Sequence, residues 1–235
     1  MPTPWSNASG RCLPSASSGF SGQICHFLSE AQSCGLVHRD IKPANIFLCR
    51  YGEDYDFRQV LDFGIAKAAD DGAASETALT LANVIHGTPA FIAPEQALGV
   101  ALDARADIYS TGCVAFWPLT GELVFMEETP MKLLLAHAHS VPKPPSAKTG
   151  LPIPTELDDL VLACLAKDRE NRPASARHLL ERLQAIELET SWSEERARDW
   201  WRTHVPLGVT FAGVKNASGY GLRASGYGKA SACSS

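Results

Sequence analysis

At 235 residues, 45% of them apolar and 20% charged, the chain is long enough to bury a sizeable core and has the composition of an ordinary globular protein. Its 21 basic against 26 acidic residues leave a net charge of −5, which argues against a nucleic-acid partner held by basic charge. No stretch approaches the roughly 20 apolar residues of a membrane helix, and the seven scattered cysteines, without a Cys-x-x-Cys pair, read as reduced thiols of a cytoplasmic protein.

Residues 1–22 are rich in Ser, Gly and Pro, hold no apolar run, and do not resemble a signal peptide. They carry too few apolar side chains to offset the entropy of ordering, so a disordered leader is expected. A folded body is expected over 23–188. It opens with Ile24, Phe27, Leu28 and Ala31 at helical spacing and Gly35 as a C-cap. Next comes His38-Arg39-Asp40-Ile41-Lys42-Pro43-Ala44-Asn45, then short strands at 46–48 and 59–61, with Asp62-Phe63-Gly64 directly after the second. A third motif, Gly87-Thr88-Pro89-Ala90-Phe91-Ile92-Ala93-Pro94-Glu95, precedes a helical remainder.

Residues 104–119 are apolar on nearly all sides, the pattern of a buried central helix. Pro118 sits near its end, where a proline costs on the order of 3 kcal/mol unless the helix stops a turn early. Further helices are expected at 130–139, 156–166 and 175–187, with the proline-rich run 141–154 as a rigid connector. Ser191 and Glu194 form a capping-box pattern that opens an accessory helix within 189–206, carrying Trp200 and Trp201. Residues 207–235 repeat Ser-Gly-Tyr-Gly and read as a disordered tail. The fold class expected is α+β, mainly α. His137 and His139 are one residue apart, point to different helix faces, and make a poor metal pair.

The three motifs, in this order, resemble the catalytic loop, magnesium loop and substrate platform of a protein kinase. With Pro94-Glu95-Gln96 and Asp107-Ile108-Tyr109-Ser110, the wider sequence is most similar to the bacterial branch of that family. The resemblance covers about 23–188 and implies the lower, C-terminal lobe, with a few short strands at its catalytic edge. Residues 1–37 hold neither a Gly-x-Gly-x-x-Gly run nor a lysine, and Lys42 is the first lysine of the chain. The upper, N-terminal lobe is therefore expected to be absent, through a truncated gene, a wrong start or a frameshift, or to be supplied by a separate N-lobe polypeptide. Activity of the chain alone is expected to be low or nil.

The resemblance implies roles residue by residue. Asp40 accepts the proton of the attacking hydroxyl, and Lys42 sets a positive charge against the γ-phosphate of ATP. Asn45 and Asp62 hold the Mg2+ ions, which prefer hard oxygen ligands, and Phe47 floors the adenine site. Asp-x-Lys-Pro-x-Asn and the Gly-Thr step mark the serine/threonine class, with the Thr88 hydroxyl bridging Asp40 and Lys42. Ser75, Thr77 and Thr80 are candidate phosphosites of an activation loop, and Arg39 is the residue that would pair with such a phosphate. His38 and Phe63, followed by Gly64, belong to a hydrophobic spine beneath the site, at an edge the upper lobe would otherwise shield from water. Asp107 accepts hydrogen bonds from the catalytic-loop backbone, and Glu95 pairs with Arg172. The implied function is ATP-dependent phosphorylation of a protein substrate on Ser or Thr. The alternative is a non-catalytic, kinase-like binding or regulatory module, against which the intact Asp40, Asn45 and Asp62 argue.

Overall fold

A computed structural model describes residues 14–51, 54–60 and 89–188, together with 193, 195, 198 and 199. Asp62, Phe63, Gly64, Ser75, Thr77, Thr80 and Thr88 lie outside the described residues, as do Ser191, Glu194, Trp200, Trp201 and the 207–235 tail.

Helix α1 runs Pro14–Ser33, so it starts well inside the stretch 1–22 expected to be disordered. Composition misled here because the ordering force is tertiary. Ser21 is buried, and an added Cβ at Gly22 would lie in contact distance of Leu180 and Leu183, on the last helix of the body. Gly35, in the left-handed region at φ 72°, ends the helix, and its N–H donates to the Gln32 carbonyl.

A 3-10 turn at Pro43–Asn45 leads into strand β1 (Ile46–Tyr51), which pairs antiparallel with β2 (Asp54–Val60). Ile46 lies opposite Val60 and Tyr51 opposite Asp54, with a register shift between Cys49 and Tyr51. The two expected strands are thus one hairpin, longer than local sequence indicated because cross-strand pairing extends the ladder to Tyr51 and Asp54.

Among the described residues of the body, five helices follow: α2 (Pro94–Ala97), α3 (Arg105–Thr120), α4 (Pro130–His139), α5 (Thr155–Cys164) and α6 (Ala176–Gln184). Thr129 and Ser175 cap α4 and α6, their hydroxyls accepting from the Lys132 and His178 N–H groups. The expected 141–154 connector carries one 3-10 turn, Pro145–Lys148.

The core centres on α3, whose Ile108, Tyr109, Phe116 and Leu119 have no exposed surface, and α1, α5 and α6 pack on it. The helices α3 and α5 approach closely at Gly112, where an added Cβ would lie 2.7 Å from Cys164 Cβ on α5. The helix does not stop short of Pro118; it continues to Thr120 and ends on Gly121 at φ 75°. Confinement to the last turn limits the damage. Beyond the proline, the Thr120 hydroxyl donates to the Phe116 carbonyl and the Gly121 N–H to that of Trp117.

A polar cluster lies where α3 and α4 meet. Tyr109 Oη is 2.9 Å from His137 Nδ1, and Lys167 Nζ donates to Tyr109 Oη at 3.1 Å and to the His137 carbonyl at 2.8 Å. His137 is fully buried, and burial with the Lys167 charge beside it pulls its pKa down to about 3. Desolvation likewise lowers Lys167 to about 8. Three thiols, Cys25, Cys113 and Cys164, are free and buried, and burial raises all three pKa values. Among the described residues, no helix is long and apolar enough to cross a membrane.

Candidate active site

The 38–45 loop leaves α1 and crosses over the N-terminal turn of α3. Its anchor is Asp107, on the first turn of that helix and almost wholly buried. Asp107 Oδ2 accepts from the His38 N–H at 2.7 Å and Oδ1 from the Arg39 N–H at 2.8 Å. Burial pushes this carboxyl up to about 6, while the two N–H donors and the nearby Arg39 charge oppose the rise.

Arg39 is the single described non-glycine residue with positive φ, at 66°. Backbone of this kind costs about 1–3 kcal/mol and persists only where its surroundings fix it. Here they do so from two sides: Asp107 takes the Arg39 N–H, and the Gln96 side chain on α2 donates to the Arg39 carbonyl at 2.8 Å. The unusual conformation turns the next residue, Asp40, away from the course an extended chain would give it.

Asp40, Lys42 and Asn45 converge. Lys42 Nζ donates to Asp40 Oδ2 at 2.6 Å, and Asn45 Nδ2 donates to the same oxygen at 3.0 Å and to the Asp40 carbonyl at 2.9 Å. The Lys42 and Asp40 side chains are about one-third exposed, at 33% and 34%, so their attraction is screened. The pair therefore serves to orient the carboxylate more than to stabilise the fold. Asn45 is buried and commits its amide nitrogen to Asp40, which leaves its amide oxygen as the atom for a hard cation. Asn45 thus fits a magnesium site; Asp62, the other expected ligand, lies outside the described residues. Phe47 follows on β1, at the register position opposite Gln59.

His38 departs from expectation. Rather than lying at a water-exposed edge, it is fully buried, with its ring edge-on to Phe27 at 6.3 Å. Phe27 on α1 supplies part of that cover, a tertiary contact that helical spacing alone does not reveal. The His38 Nδ1 atom also takes the Asp40 N–H at 3.3 Å, so the imidazole helps to shape the loop.

The 89–95 segment is tied to the body by one buried ion pair. Arg172 donates to both Glu95 oxygens, at 2.6 and 2.8 Å, and to the carbonyls of Ala166, Arg105 and Lys167. Its guanidinium lies 5.0 Å from the Tyr109 ring centroid. At the surface nearby, Arg105 bridges Asp103 and Glu170, holding both carboxyls below their ordinary range. Sequence reasoning gave Gln96 no role and missed the Arg105 network. A Gln at the third position of a helix opened by Ala93-Pro94 is a capping signal that points to the first of these.

Residues 10–183 match the family described as the protein kinase domain. The chain is 44% identical over 153 residues to the serine/threonine-protein kinase Pkn1 of Myxococcus xanthus, covering 65% of this chain and 21% of that protein. It is 38% identical over 171 residues to pkn3 of the same organism, covering 71% and 30%. Against the serine/threonine-protein kinase PknB of Mycobacterium tuberculosis it is 40% identical over 156 residues, covering 66% and 24%. The chain thus spans a third or less of the length of these relatives. Among solved structures it is similar to the PknI kinase domain of Mycobacterium tuberculosis, with a TM-score of 0.53 and 24% identity, over 74% of this chain and 55% of that one. That likeness shows the fold.

Proposed function

We propose that this chain, which belongs to the protein kinase family and to its bacterial serine/threonine branch, supplies the base, the phosphate-facing lysine and a magnesium ligand for phosphoryl transfer from ATP to a protein hydroxyl. The observation that carries the reading is the convergence of Lys42 and Asn45 on one carboxylate oxygen of Asp40.

That arrangement suits a reaction that demands alignment and charge neutralisation rather than covalent work by the protein. One Asp40 oxygen is committed to Lys42 and Asn45, so the other is the acceptor for the proton of an incoming Ser or Thr hydroxyl. Lys42, held two residues from the base, places its charge beside the transferred group. Asn45, with Asp62, would hold magnesium, which supplies neutralisation of the ATP phosphates when bound. Glu95 and Arg172 fix the segment on which a substrate peptide rests. In this reading Thr77 and Thr80 are the phosphosites, Thr88 bridges Asp40 and Lys42, and Phe47 floors the adenine.

Residues 1–37 hold no lysine for the α- and β-phosphates and no glycine-rich lid, so efficient transfer draws these parts from outside residues 1–235. The test is phosphoryl transfer from Mg-ATP to a generic basic protein, with the chain assayed alone and joined to a bacterial kinase upper lobe. Transfer is expected chiefly in the joined protein, to be abolished by Asp62→Ala, and to fall in kcat with little change in ATP affinity in Asp40→Asn. Full turnover in Asp40→Asn would overturn the assignment of the base.

A further inference from the structure

Gln96 makes two hydrogen bonds whose partners lie in different parts of the fold. Its amide oxygen accepts from the Ala93 N–H at 3.2 Å, capping α2. Its amide nitrogen donates to the Arg39 carbonyl at 2.8 Å, across 57 positions of sequence. The two partners fix the orientation of the amide: turned over, it would set its NH2 group against an N–H and its oxygen against a carbonyl.

The Arg39 carbonyl belongs to the peptide unit that ends in the Asp40 N–H. That unit is planar, and it is held at both edges, by Gln96 at the oxygen and by His38 Nδ1 at the N–H. Its tilt sets the direction in which the Asp40 side chain leaves the backbone. With Arg39 at φ 66°, the tilt is one the chain would not hold unaided. The residue before Gln96 is Glu95, fixed by Arg172. A rigid line therefore runs from the buried ion pair through Gln96 to the backbone of Asp40.

We infer that Gln96 is a positioning residue for Asp40, coupling the seating of the 89–95 segment to the orientation of the base. The inference rests on Asp40 being that base, as proposed above. It separates from a purely structural role because Glu is nearly isosteric with Gln. In Gln96→Glu the acceptor for Ala93 remains and α2 stays capped, whereas the donor to Arg39 becomes a carboxylate facing a carbonyl.

The experiment uses the 15N-labelled 235-residue chain for amide spectra and hydrogen exchange, and the same chain joined to an upper lobe for turnover. Gln96→Glu is expected to melt within about 3 °C of the parent. Its Asp40 amide resonance should move, with exchange about tenfold faster. Turnover should drop on the order of 100-fold, with the KM for ATP within about twofold. Gln96→Met, which removes both hydrogen bonds without adding charge, should move the same amide and covers the case in which the Glu variant does not fold. An unchanged Asp40 amide in both variants overturns the inference, as does a moved amide with parental turnover. Asp40→Asn in the same assay keeps the two claims apart: unchanged turnover there sinks the reading of the base, whatever Gln96 does.

Discussion

Asp107 and His38 meet through a 2.7 Å hydrogen bond from the His38 N–H to the Asp107 carboxylate, so a buried acid of the central helix holds the start of the loop that carries Asp40. The same acid takes the Arg39 N–H through its other oxygen. Both N–H groups lose their acceptor if the acid is removed.

Asp107→Asn keeps one oxygen and sets an NH2 group against the second N–H, an orphaning that costs about 1–3 kcal/mol. The cost depends on pH. Asp107 binds its proton more tightly folded, near 6, than unfolded, near 3.8. Its contribution is therefore fully present below 3.8 and is lost as pH rises through 6. The destabilisation by Asp107→Asn should accordingly grow, by roughly 2–3 kcal/mol, as pH falls from 7 to 4. Urea unfolding of parent and variant at several pH values checks this.

His137 runs the other way. Its folded pKa lies near 3 against 6.5 for the free imidazole, so its contribution is present above 6.5 and is lost as pH falls toward 3. Replacing it by Phe removes the Tyr109 contact and destabilises at neutral pH. The difference from the parent should then shrink by about 3 kcal/mol between pH 6.5 and 4. Opposite trends in the two variants, measured by the same unfolding experiment, are the expected signature. Parallel trends would contradict both assignments.

Arg172→Met leaves Glu95 buried without its partner and should cost about 3–5 kcal/mol, read as a lower midpoint of chemical unfolding. The double variant Glu95→Gln with Arg172→Met should cost less than the sum of the two single changes, since the second substitution removes the orphaned charge.

Two glycines should respond with opposite signs. Gly112→Ala places a methyl 2.7 Å from Cys164 Cβ, backed by Leu165, and should cost about 1–3 kcal/mol as the helices part. Gly22→Ala, within α1, meets only ordinary contacts at 3.8 Å and beyond, and should stabilise by about 0.5–1 kcal/mol. Calorimetry of the two variants decides whether α1 contributes to the folded body as far up the chain as residue 22.

Where periodicity was strong, sequence alone placed the helices to within a few residues: 104–119 against Arg105–Thr120, and 130–139 against Pro130–His139. The residues that gather at Asp40 were legible because motif spacing encodes one loop. The early part of α1 was not: Ser21 is buried and Gly22 faces Leu180 and Leu183, which come from the far end of the body. His38 was misplaced because its packing against Phe27 is a tertiary contact: the spacing puts Phe27 on a helix but does not say what that ring faces. Gln96 was opaque because its partner, Arg39, is a backbone carbonyl that no side-chain pattern advertises.

The contact between α1 and α6 sets an order of events during synthesis. Gln32, near the end of α1, accepts the Ala176 N–H at the start of α6, across 144 positions. A ribosome adding about 5–20 residues each second takes on the order of 7–30 s to cover that distance. Through that interval α1 exists without α6, the helix against which Gly22 and Gln32 are seated in the folded chain.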